Sequence, residues 1–455
     1  MGARTISKRA IGLFLGDIAI VLLAFHVALK LRTGESLGVF LSMAKTGNMA
    51  LLIVIYAVSF YIFEFYNIRL KFRSTKFLVS MAGGAGLAYL FAILSFYIFP
   101  YKLGRGVFLI SWIMTVLLVY AWRMFYSTAF KLAEPRRNVL VIGNGATTET
   151  IIEGVKDDPE FRLSAILDKD DLNEMLAKEA SPTGSGTLEE YVAKNKINDI
   201  VVTLEADGSN ILERALVACR MKGTNCHTVE AFYEKLFEKL PVLMLNDRWF
   251  LMSGGFDKLG SLFFRTVKRA FDFVVSSLAL LITLPISAVI ALLVPLTSRG
   301  PVFFTQERLG EGKKPFRIIK FRTMVHNAEA NGPQWAQNND GRVTKVGKIL
   351  RKTRLDEIPQ LINVFKGDMS LIGPRPEREY FVNQLTEKVP FYSLRFFVKP
   401  GLTGWAQVNF HYGSDEKDAL EKLRYELYYI KNQSLALDVR ILLNTVRVVL
   451  MGVGT

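Results

Sequence analysis

The sequence predicts a multi-domain membrane protein that combines an N-terminal four-helix transmembrane bundle, a central Rossmann-like α/β domain and a C-terminal α/β domain with a re-entrant membrane helix. Half of the 455 residues are apolar, too many for a typical soluble chain. Apolar runs of about 20 residues fill the first third, and short strands alternate with helices after it. We place the three domains, in order, at residues 1–135, 136–250 and 251–455, with the re-entrant helix at about 265–298.

The predicted bundle consists of four segments, each close to the length needed to cross the hydrocarbon core: Ala10–Leu29, Thr46–Phe63, Phe77–Tyr101 and Gly106–Trp122. No small-residue cleavage site ends the first, so we interpret it as a span and not a signal peptide. Only Asp17 places a carboxylate within them. Basic residues cluster at the N-terminus and at 69–76 and 131–137, so the positive-inside rule predicts that both ends of the bundle are cytoplasmic.

The central domain is predicted from three buried strands, at Asn138–Gly143, Leu163–Asp168 and Asp199–Leu204, that alternate with helical stretches. The first strand runs into a Rossmann-type turn that has Thr148 where the third glycine would stand. That glycine normally permits tight helix–strand contact, so its absence favours the fold over a bound dinucleotide. We therefore predict no dinucleotide cofactor. For this domain we expect a structural or regulatory role, such as a homodimer contact.

Two adjacent acids give the sharpest chemical signal. Asp356 and Glu357 follow three cations and precede an amphipathic pattern at i, i+3, i+4 and i+7, formed by Ile358, Leu361, Ile362 and Phe365. Because Pro359 is tolerated only in a first helical turn, the acids are predicted at a helix N-terminus, where the dipole favours ionised carboxylates. Acids that hold a divalent metal and cations that neutralise phosphate are the residue types that phosphoryl chemistry requires.

Further cations lie in two other motifs. Lys320 and Arg322 follow a strand-like stretch, and the rigid turn Gly373-Pro374-Arg375-Pro376 presents Arg375 on a fixed backbone. Spacing alone does not establish that these side chains converge on the acids. The total formal charge of +15 agrees with anionic partners such as lipid headgroups or phosphorylated substrates, and we predict no nucleic acid.

The C-terminal motifs resemble the bacterial sugar transferase family, the polyprenyl-phosphate glycosyl-1-phosphate transferases. The resemblance covers about residue 265 to the C-terminus, and its longest segments are Gly300–Phe304, Lys320–Met324, Leu355–Val364, Lys366–Ser370, Gly373–Pro376 and Lys399–Trp405. The upstream spans and Rossmann-like domain look like those of the large, multi-domain members. In such members the usual task is the first membrane step of exopolysaccharide, capsule or O-antigen assembly.

The resemblance implies roles for individual residues. Asp356 matches the family's nucleophile and Glu357 its acidic partner, with Mg²⁺ held by both. The implied substrate-phosphate residues are Lys320, Arg351 and Arg375, to which we add Arg322 and Arg354 from charge and proximity. The implied reaction is ping-pong, in which Asp356 attacks the UDP-sugar, releases UMP and passes a hexose-1-phosphate to undecaprenyl phosphate. UDP-glucose, UDP-galactose and N-acetylated sugars all fit, so the sugar is not determined.

The stretch Phe273–Ser298 carries no charge and is long enough to be a fifth span. A fifth crossing would place Asp356 outside the cell, where no UDP-sugar is expected. Pro285 removes one helix hydrogen bond, so we predict a re-entrant helix that breaks there and leaves on the cytoplasmic side. Thr283 and Ser287 would bond the backbone groups that the break frees. The family commonly has Ser-Pro at this break, whereas this chain has Leu284 before the proline.

Two alternatives belong to other classes. A membrane-anchored NAD-dependent nucleotide-sugar enzyme would carry a Tyr-x-x-x-Lys pair, but the residue four places after Tyr191 is Asn195 and that after Tyr233 is Phe237. A transporter of lipid-linked sugars would need a polar path, and we predict no interior charge pair in the four spans. We therefore favour a transferase in the bacterial inner membrane with its catalytic domain on the cytoplasmic face.

Overall fold

The structure is a computed structural model that describes residues 8–34, 38, 48–63, 65–66, 75–98, 105–130, 136–168, 170–172, 188–203, 210–325, 341–410 and 416–451. The chain forms two compact units, residues 4–232 and residues 233–455. The predicted basic segments 69–76 and 131–137 lie mostly outside the described residues.

The four predicted spans are all helices: α1 (Lys8–Thr33), α2 (Asn48–Ile62), α3 (Thr75–Ile98) and α4 (Arg105–Phe130). Within the described residues, α1, α3 and α4 each contain a stretch long and apolar enough to cross a membrane. Helix α2 is also apolar but has only 15 residues. Four apolar helices of this kind are compatible with a membrane bundle.

The prediction that the spans hold no interior charge pair is wrong. Arg123, one residue beyond the predicted end of the fourth span, donates from Nη2 to Asp17 Oδ2 at 2.6 Å, and both side chains are almost completely buried. The sequence pattern missed the pair because Asp17 and Arg123 come together only when α1 packs against α4. A buried carboxylate requires such a partner, since desolvating an unpaired charge is costly.

A parallel four-stranded sheet follows the helices. Its strands are β1 (Arg137–Ile142), β2 (Phe161–Leu167), β3 (Ile197–Val202) and β4 (Asn225–Thr228), in the order β2-β1-β3-β4. The helices in this region are α5 (Ala146–Asp157), α6 (Leu188–Lys194), α7 (Asn210–Met221) and α8 (Val229–Phe237). The three predicted strands are present, and β4 escaped prediction because it is short and polar. Thr148 is buried on α5, and its Oγ1 lies 2.7 Å from Thr203 Oγ1.

The unit of residues 233–455 is built around one large core. Its elements are α9 (Asp247–Met252), α10 (Leu262–Thr297), β5 (Phe303–Leu309), β6 (Pro315–Phe321), α11 (Lys345–Lys352), α12 (Gln360–Lys366), β7 (Ser370–Ile372), α13 (Glu379–Lys388), β8 (Gly401–Thr403), α14 (Trp405–Asn409), α15 (Glu416–Lys431) and α16 (Leu435–Met451). Strands β5 and β6 form an antiparallel hairpin, and β7 pairs with β8 in parallel.

This unit begins earlier than the predicted boundary at residue 251. Leu240 and Val242 are fully buried in its core, and the Trp405 indole N–H donates to the Glu238 carbonyl at 2.9 Å. Glu234 also forms an ion pair with Lys431 at 2.6 Å. Residues 233–250 therefore belong structurally to the C-terminal unit, although the sequence pattern places them with the sheet.

Helix α10 is continuous from Leu262 to Thr297, with Pro285 inside it, so the predicted interruption of the helix at this residue is not present. A proline inside a helix removes one hydrogen bond and crowds the carbonyl four residues earlier, yet the residues on both sides of Pro285 are helical. Thr283 donates its hydroxyl to the Ala279 carbonyl at 2.7 Å and not to the carbonyl of Leu281, which lies four residues before the proline. The helix therefore passes the proline without a break in its secondary structure.

Both ends of α10 are attached to the same unit. Near the start, Asp272 accepts from the Leu371 backbone N–H at 3.0 Å. Near the end, Ile290 and Val294 are buried against Phe321 and Leu350. Between these attachments the helix exposes large apolar side chains, among them Leu281, Ile282, Leu284, Ile286 and Val289. This exposed apolar stretch fits contact with hydrocarbon.

Candidate active site

The two acids lie in a short turn between two helices. Helix α11 ends at Lys352, and Arg354 takes a left-handed backbone conformation (φ 59°) that reverses the chain. Leu355–Glu357 then form one turn of 3₁₀ helix, and Pro359 is the N-cap of α12. A non-glycine residue in this conformation is uncommon and must be held by its surroundings. The acids precede α12, as predicted, but they lie in their own 3₁₀ turn and not in the first turn of that helix.

Glu357 is surrounded by cations. Its Oε1 accepts from Arg375 Nη2 at 2.8 Å and from Lys320 Nζ at 3.4 Å, and Arg354 Nη1 lies 3.9 Å away. Strand β6 supplies Lys320, and the turn after β7 supplies Arg375. The fold thus brings together three cations that are separated by up to 55 positions in the sequence.

The two neighbouring acids have opposite electrostatic environments. Burial raises the pKa of Asp356, and the adjacent Glu357 charge raises it further, although Lys320, Arg351 and Arg375 oppose the shift. Burial would also raise the pKa of Glu357, but Arg375 and Lys320 outweigh it and hold that pKa well below its usual range. Glu357 is therefore a permanent anion, whereas Asp356 is a buried carboxyl whose charge responds to what binds beside it.

The two remaining predicted cations have different contacts. Arg351 donates from Nε to Thr323 Oγ1 at 2.9 Å, and its charge lowers the pKa of Asp356. Arg322, also predicted as a phosphate ligand, is buried and donates to the carbonyls of Ser298 and Arg299 at 2.6 and 3.1 Å. A guanidinium satisfies the free carbonyls at a helix C-terminus, so Arg322 holds the end of α10.

Sequence reasoning missed a second layer of charges behind Arg375. Arg395 Nη2 donates to the Arg375 carbonyl and to Glu426 Oε1, both at 2.8 Å, and also donates to the Tyr392 hydroxyl from Nη1. Arg395 and Glu426 are each 5% exposed, so neither is a surface charge. On the other side of the turn, Arg308 pairs with Glu377 at 3.3 Å. The sequence signal that could have indicated this buried charge is Arg395, a lone arginine within the apolar run of residues 391–398.

The acids suit a metal that needs few protein ligands. Among the residues that the structure describes, no group of three or more His, Cys, Asp and Glu side chains could hold a metal ion. Mg²⁺ is commonly bound by one or two carboxylates, with water and phosphate oxygens completing an octahedron. The adjacent carboxylates of Asp356 and Glu357 supply oxygen ligands of the required type. The residues present therefore fit Mg²⁺ held jointly with a substrate phosphate.

Comparison with known proteins shows what this site is similar to. Residues 263–452 match the family described as bacterial sugar transferase. The chain is 42% identical over 246 residues to a UDP-N-acetylgalactosamine-undecaprenyl-phosphate N-acetylgalactosaminephosphotransferase of Aeromonas hydrophila, covering 53% of this chain and 56% of the relative. It is 45% identical over 186 residues to the UDP-glucose:undecaprenyl-phosphate glucose-1-phosphate transferase of Escherichia coli, covering 40% of each.

A shorter relative is matched over most of its length. The chain is 41% identical over 181 residues to a UDP-glucose:undecaprenyl-phosphate glucose-1-phosphate transferase of Caulobacter vibrioides, covering 39% of this chain and 68% of the relative. The chain spans about half or less of the length of the two longer relatives. Residues 263–452, which match the family model, include both acids and the cations around them. The chain belongs to the bacterial sugar transferase family.

Proposed function

We propose that this protein transfers a hexose-1-phosphate from a UDP-sugar to undecaprenyl phosphate, which yields the lipid diphosphate sugar and UMP. The observation that carries the proposal is the pair Asp356–Glu357, in which one acid is neutralised by Arg375 and Lys320 and the other is left for chemistry. The names of the relatives point to the same two substrates.

In the proposed first step, a carboxylate oxygen of Asp356 attacks the phosphorus that carries the sugar. A bond forms between that oxygen and phosphorus, the bond to the UMP oxygen breaks, and UMP leaves with the electron pair. In the second step a phosphate oxygen of the lipid attacks the same phosphorus and releases the Asp356 carboxylate. A carboxylate is a suitable nucleophile because its phosphate adduct is an acyl phosphate, which is high in energy.

The neighbouring cations stabilise negative charge on the transferred phosphate. Arg375 and Lys320 are fixed by Glu357, and Arg395 holds the backbone of Arg375 from behind. Such preorganised cations lower the barrier because they need no rearrangement as charge develops. Mg²⁺, when bound at Asp356 and Glu357, would neutralise phosphate oxygens and lower the pKa of Asp356.

The membrane attachment of the site follows from α10. We propose that this helix enters and leaves the membrane on the cytoplasmic side by bending at Pro285 while it stays helical, because residues near both of its ends contact the unit that carries Asp356. Such an arrangement holds the acids at the level of the lipid phosphates. The protein would then act at the inner membrane, in the first membrane step of exopolysaccharide, capsule or O-antigen assembly.

The deciding experiment is UMP release by the detergent-solubilised full chain. UDP-glucose, UDP-galactose and the N-acetylated UDP-sugars are each incubated with undecaprenyl phosphate and Mg²⁺. We expect UMP and a lipid-linked sugar to form in equal amounts with one or two of them. Release of UDP in place of UMP, or no release with any sugar, would contradict the proposal. The panel also identifies the sugar, which the lining of the site does not specify.

A further inference from the structure

A cavity of about 280 Å³ opens directly beside the phosphate-binding cations. Glu357, Arg354 and Arg375 line it, and so do four further charged side chains, Glu377, Arg395, Lys422 and Glu426. The rest of its wall comes mainly from aliphatic and aromatic side chains: Ile358, Leu361, Leu371, Leu385, Leu402, Ala406, Val408, Phe410, Leu442, Val448 and Val449. A molecule that fills this cavity therefore carries an anion at one end and an apolar body.

Several polar groups in the wall are bonded to protein atoms, although the side-chain oxygen of Gln407 is a buried acceptor without a hydrogen-bond partner among the described residues. Thr403 Oγ1 lies 2.7 Å from Thr445 Oγ1, which itself donates to the Ile441 carbonyl. Arg395 is bonded to Glu426, as described above. A hexose or a nucleobase needs wall groups that can replace its hydrogen bonds to water. Because most of the wall is aliphatic or aromatic and several of its polar groups bond each other, the wall favours a hydrocarbon.

Helix α16, which forms part of the cavity wall, also exposes apolar side chains on its outer side. Helix α16 contributes Thr445, Val448 and Val449 to the cavity, and its outer side exposes Val446, Val449 and Leu450. At its other end, α16 is tied to the apolar helix α10 by the Lys268–Asp438 ion pair at 2.7 Å. A helix with an exposed apolar stripe and basic side chains is typical of a membrane interface. A hydrocarbon chain that leaves the cavity along α16 can therefore continue into the lipid.

We propose that this cavity holds the phosphate-proximal isoprene units of the lipid acceptor, with the acceptor phosphate at Arg354 and Arg375. The inference rests on the proposed transferase function and assigns a place to its second substrate. The cavity would select a prenyl phosphate over the phospholipids around it, because branched isoprene units fill a wide apolar cavity beside the reacting phosphate. The nucleotide-sugar donor would bind the same cations without entering the cavity.

Two matched valines on α16 make the test specific. Val449 lines the cavity and is 42% exposed, whereas Val446 is 44% exposed and is not part of the cavity wall. Val449→Trp should obstruct the cavity, and Val446→Trp is the control for a bulky side chain on the same helix. Ala406→Leu fills the cavity from within and provides a second, independent variant. Thermal melting of each full-length variant checks that it is folded.

Two measurements separate the two substrates. The apparent KM for undecaprenyl phosphate reports the acceptor, and exchange of labelled UMP into UDP-sugar without acceptor reports the donor half-reaction. We expect Val449→Trp and Ala406→Leu to raise the acceptor KM about tenfold, as for the loss of roughly two buried methylene groups. UMP exchange should stay within about twofold of the wild type, and Val446→Trp should change neither quantity.

Other outcomes overturn the inference. A parallel loss of UMP exchange in Val449→Trp and Ala406→Leu would place the nucleotide sugar in the cavity. An equal rise in KM with Val446→Trp would indicate a general membrane effect, and no change in any variant would mean that no substrate enters. A wild-type chain that neither exchanges UMP nor transfers sugar would contradict the proposed function itself, which is a different result.

Discussion

Arg375 Nη2 donates to Glu357 Oε1 at 2.8 Å, and this ion pair gives two adjacent acids different properties. Glu357 is fixed and permanently charged, since Arg375 and Lys320 stabilise its anion. Asp356, one residue earlier, is 8% exposed and has a raised pKa. The pair thereby separates an acid that is held by cations from the acid that we propose as the nucleophile.

Asp356→Asn should lower sugar transfer by about a thousandfold or more, because an amide is a poor nucleophile and cannot form the acyl phosphate. The variant should also lose the labelled phosphosugar adduct that forms when the wild type is mixed with a labelled UDP-sugar and quenched. Asp257→Asn, at an exposed site of the same unit, is the matched control and should transfer normally. More than trace activity in Asp356→Asn would exclude the covalent mechanism.

Removing the charge of Asp356 and removing that of Glu357 should change stability in opposite directions at neutral pH, as measured by thermal melting in EDTA. The folded-state pKa of Asp356 is raised, so its contribution to stability is present at low pH and is lost as pH rises through its unfolded-state pKa of about 3.9 towards its folded-state pKa. Asp356→Asn should therefore match the wild type near pH 4 and melt at a higher temperature at pH 7.

Glu357→Gln should show the reverse dependence. The pKa of Glu357 is depressed, so its contribution is present above the unfolded-state pKa of about 4.3 and is lost as pH falls towards its folded-state pKa. The variant should lose about 3 kcal/mol at pH 7, as when one partner of a largely buried ion pair is removed, and the deficit should shrink in acid. Deficits of equal size at pH 7 and at about pH 2.5, well below the unfolded-state pKa, would show that packing, not charge, is responsible.

Substitutions of Arg375 and Arg322 should have different effects, the first on kcat and the second on stability. Arg375→Ala should lower kcat about a hundredfold, because a fixed donor to phosphate is lost, and Arg375→Lys should recover only part of it. Arg322→Ala should reduce stability by about 2 kcal/mol through lost bonds to the end of α10, with kcat within about threefold of the wild type. A hundredfold fall in kcat for a folded Arg322→Ala protein would show that Arg322 does bind the substrate phosphate.

Single cysteines can decide how α10 meets the membrane. Arg265 and Arg299 lie near its two ends and have exposed side chains, so Arg265→Cys and Arg299→Cys should be tolerated. The native thiols Cys219 and Cys226 are first replaced by serine. We expect both introduced cysteines to react with an impermeant maleimide only after the inner face is exposed. Labelling of Arg299→Cys from outside intact cells would show that α10 crosses the membrane.

Truncation should locate the start of the folded catalytic unit. A chain of residues 233–455 should fold and keep part of the transferase activity, because it retains the whole core. A chain that begins at residue 257 lacks Leu240, Val242 and the Glu238 carbonyl that binds Trp405, each buried apolar side chain being worth about 1.5–3 kcal/mol. It should therefore be recovered unfolded. Equal melting temperatures for the two chains would refute this boundary.

The sequence by itself determined the order of the elements and the acids and cations from which the site is built. The four apolar spans, three strands of the parallel sheet, and the placement of Asp356 and Glu357 before an amphipathic helix all follow from local patterns of apolar and charged residues. Such patterns are readable because a helix or a strand repeats over a few residues.

Only the tertiary structure decided which charges meet. Lys320, Arg354 and Arg375 gather around Glu357, whereas Arg322 turns to the end of α10 although it lies two residues from Lys320. The Asp17–Arg123 and Arg395–Glu426 pairs likewise join distant parts of the sequence. A cation carries no local signal of its partner, because its partner is chosen by packing: it binds whichever buried acid or free carbonyl the fold brings within reach.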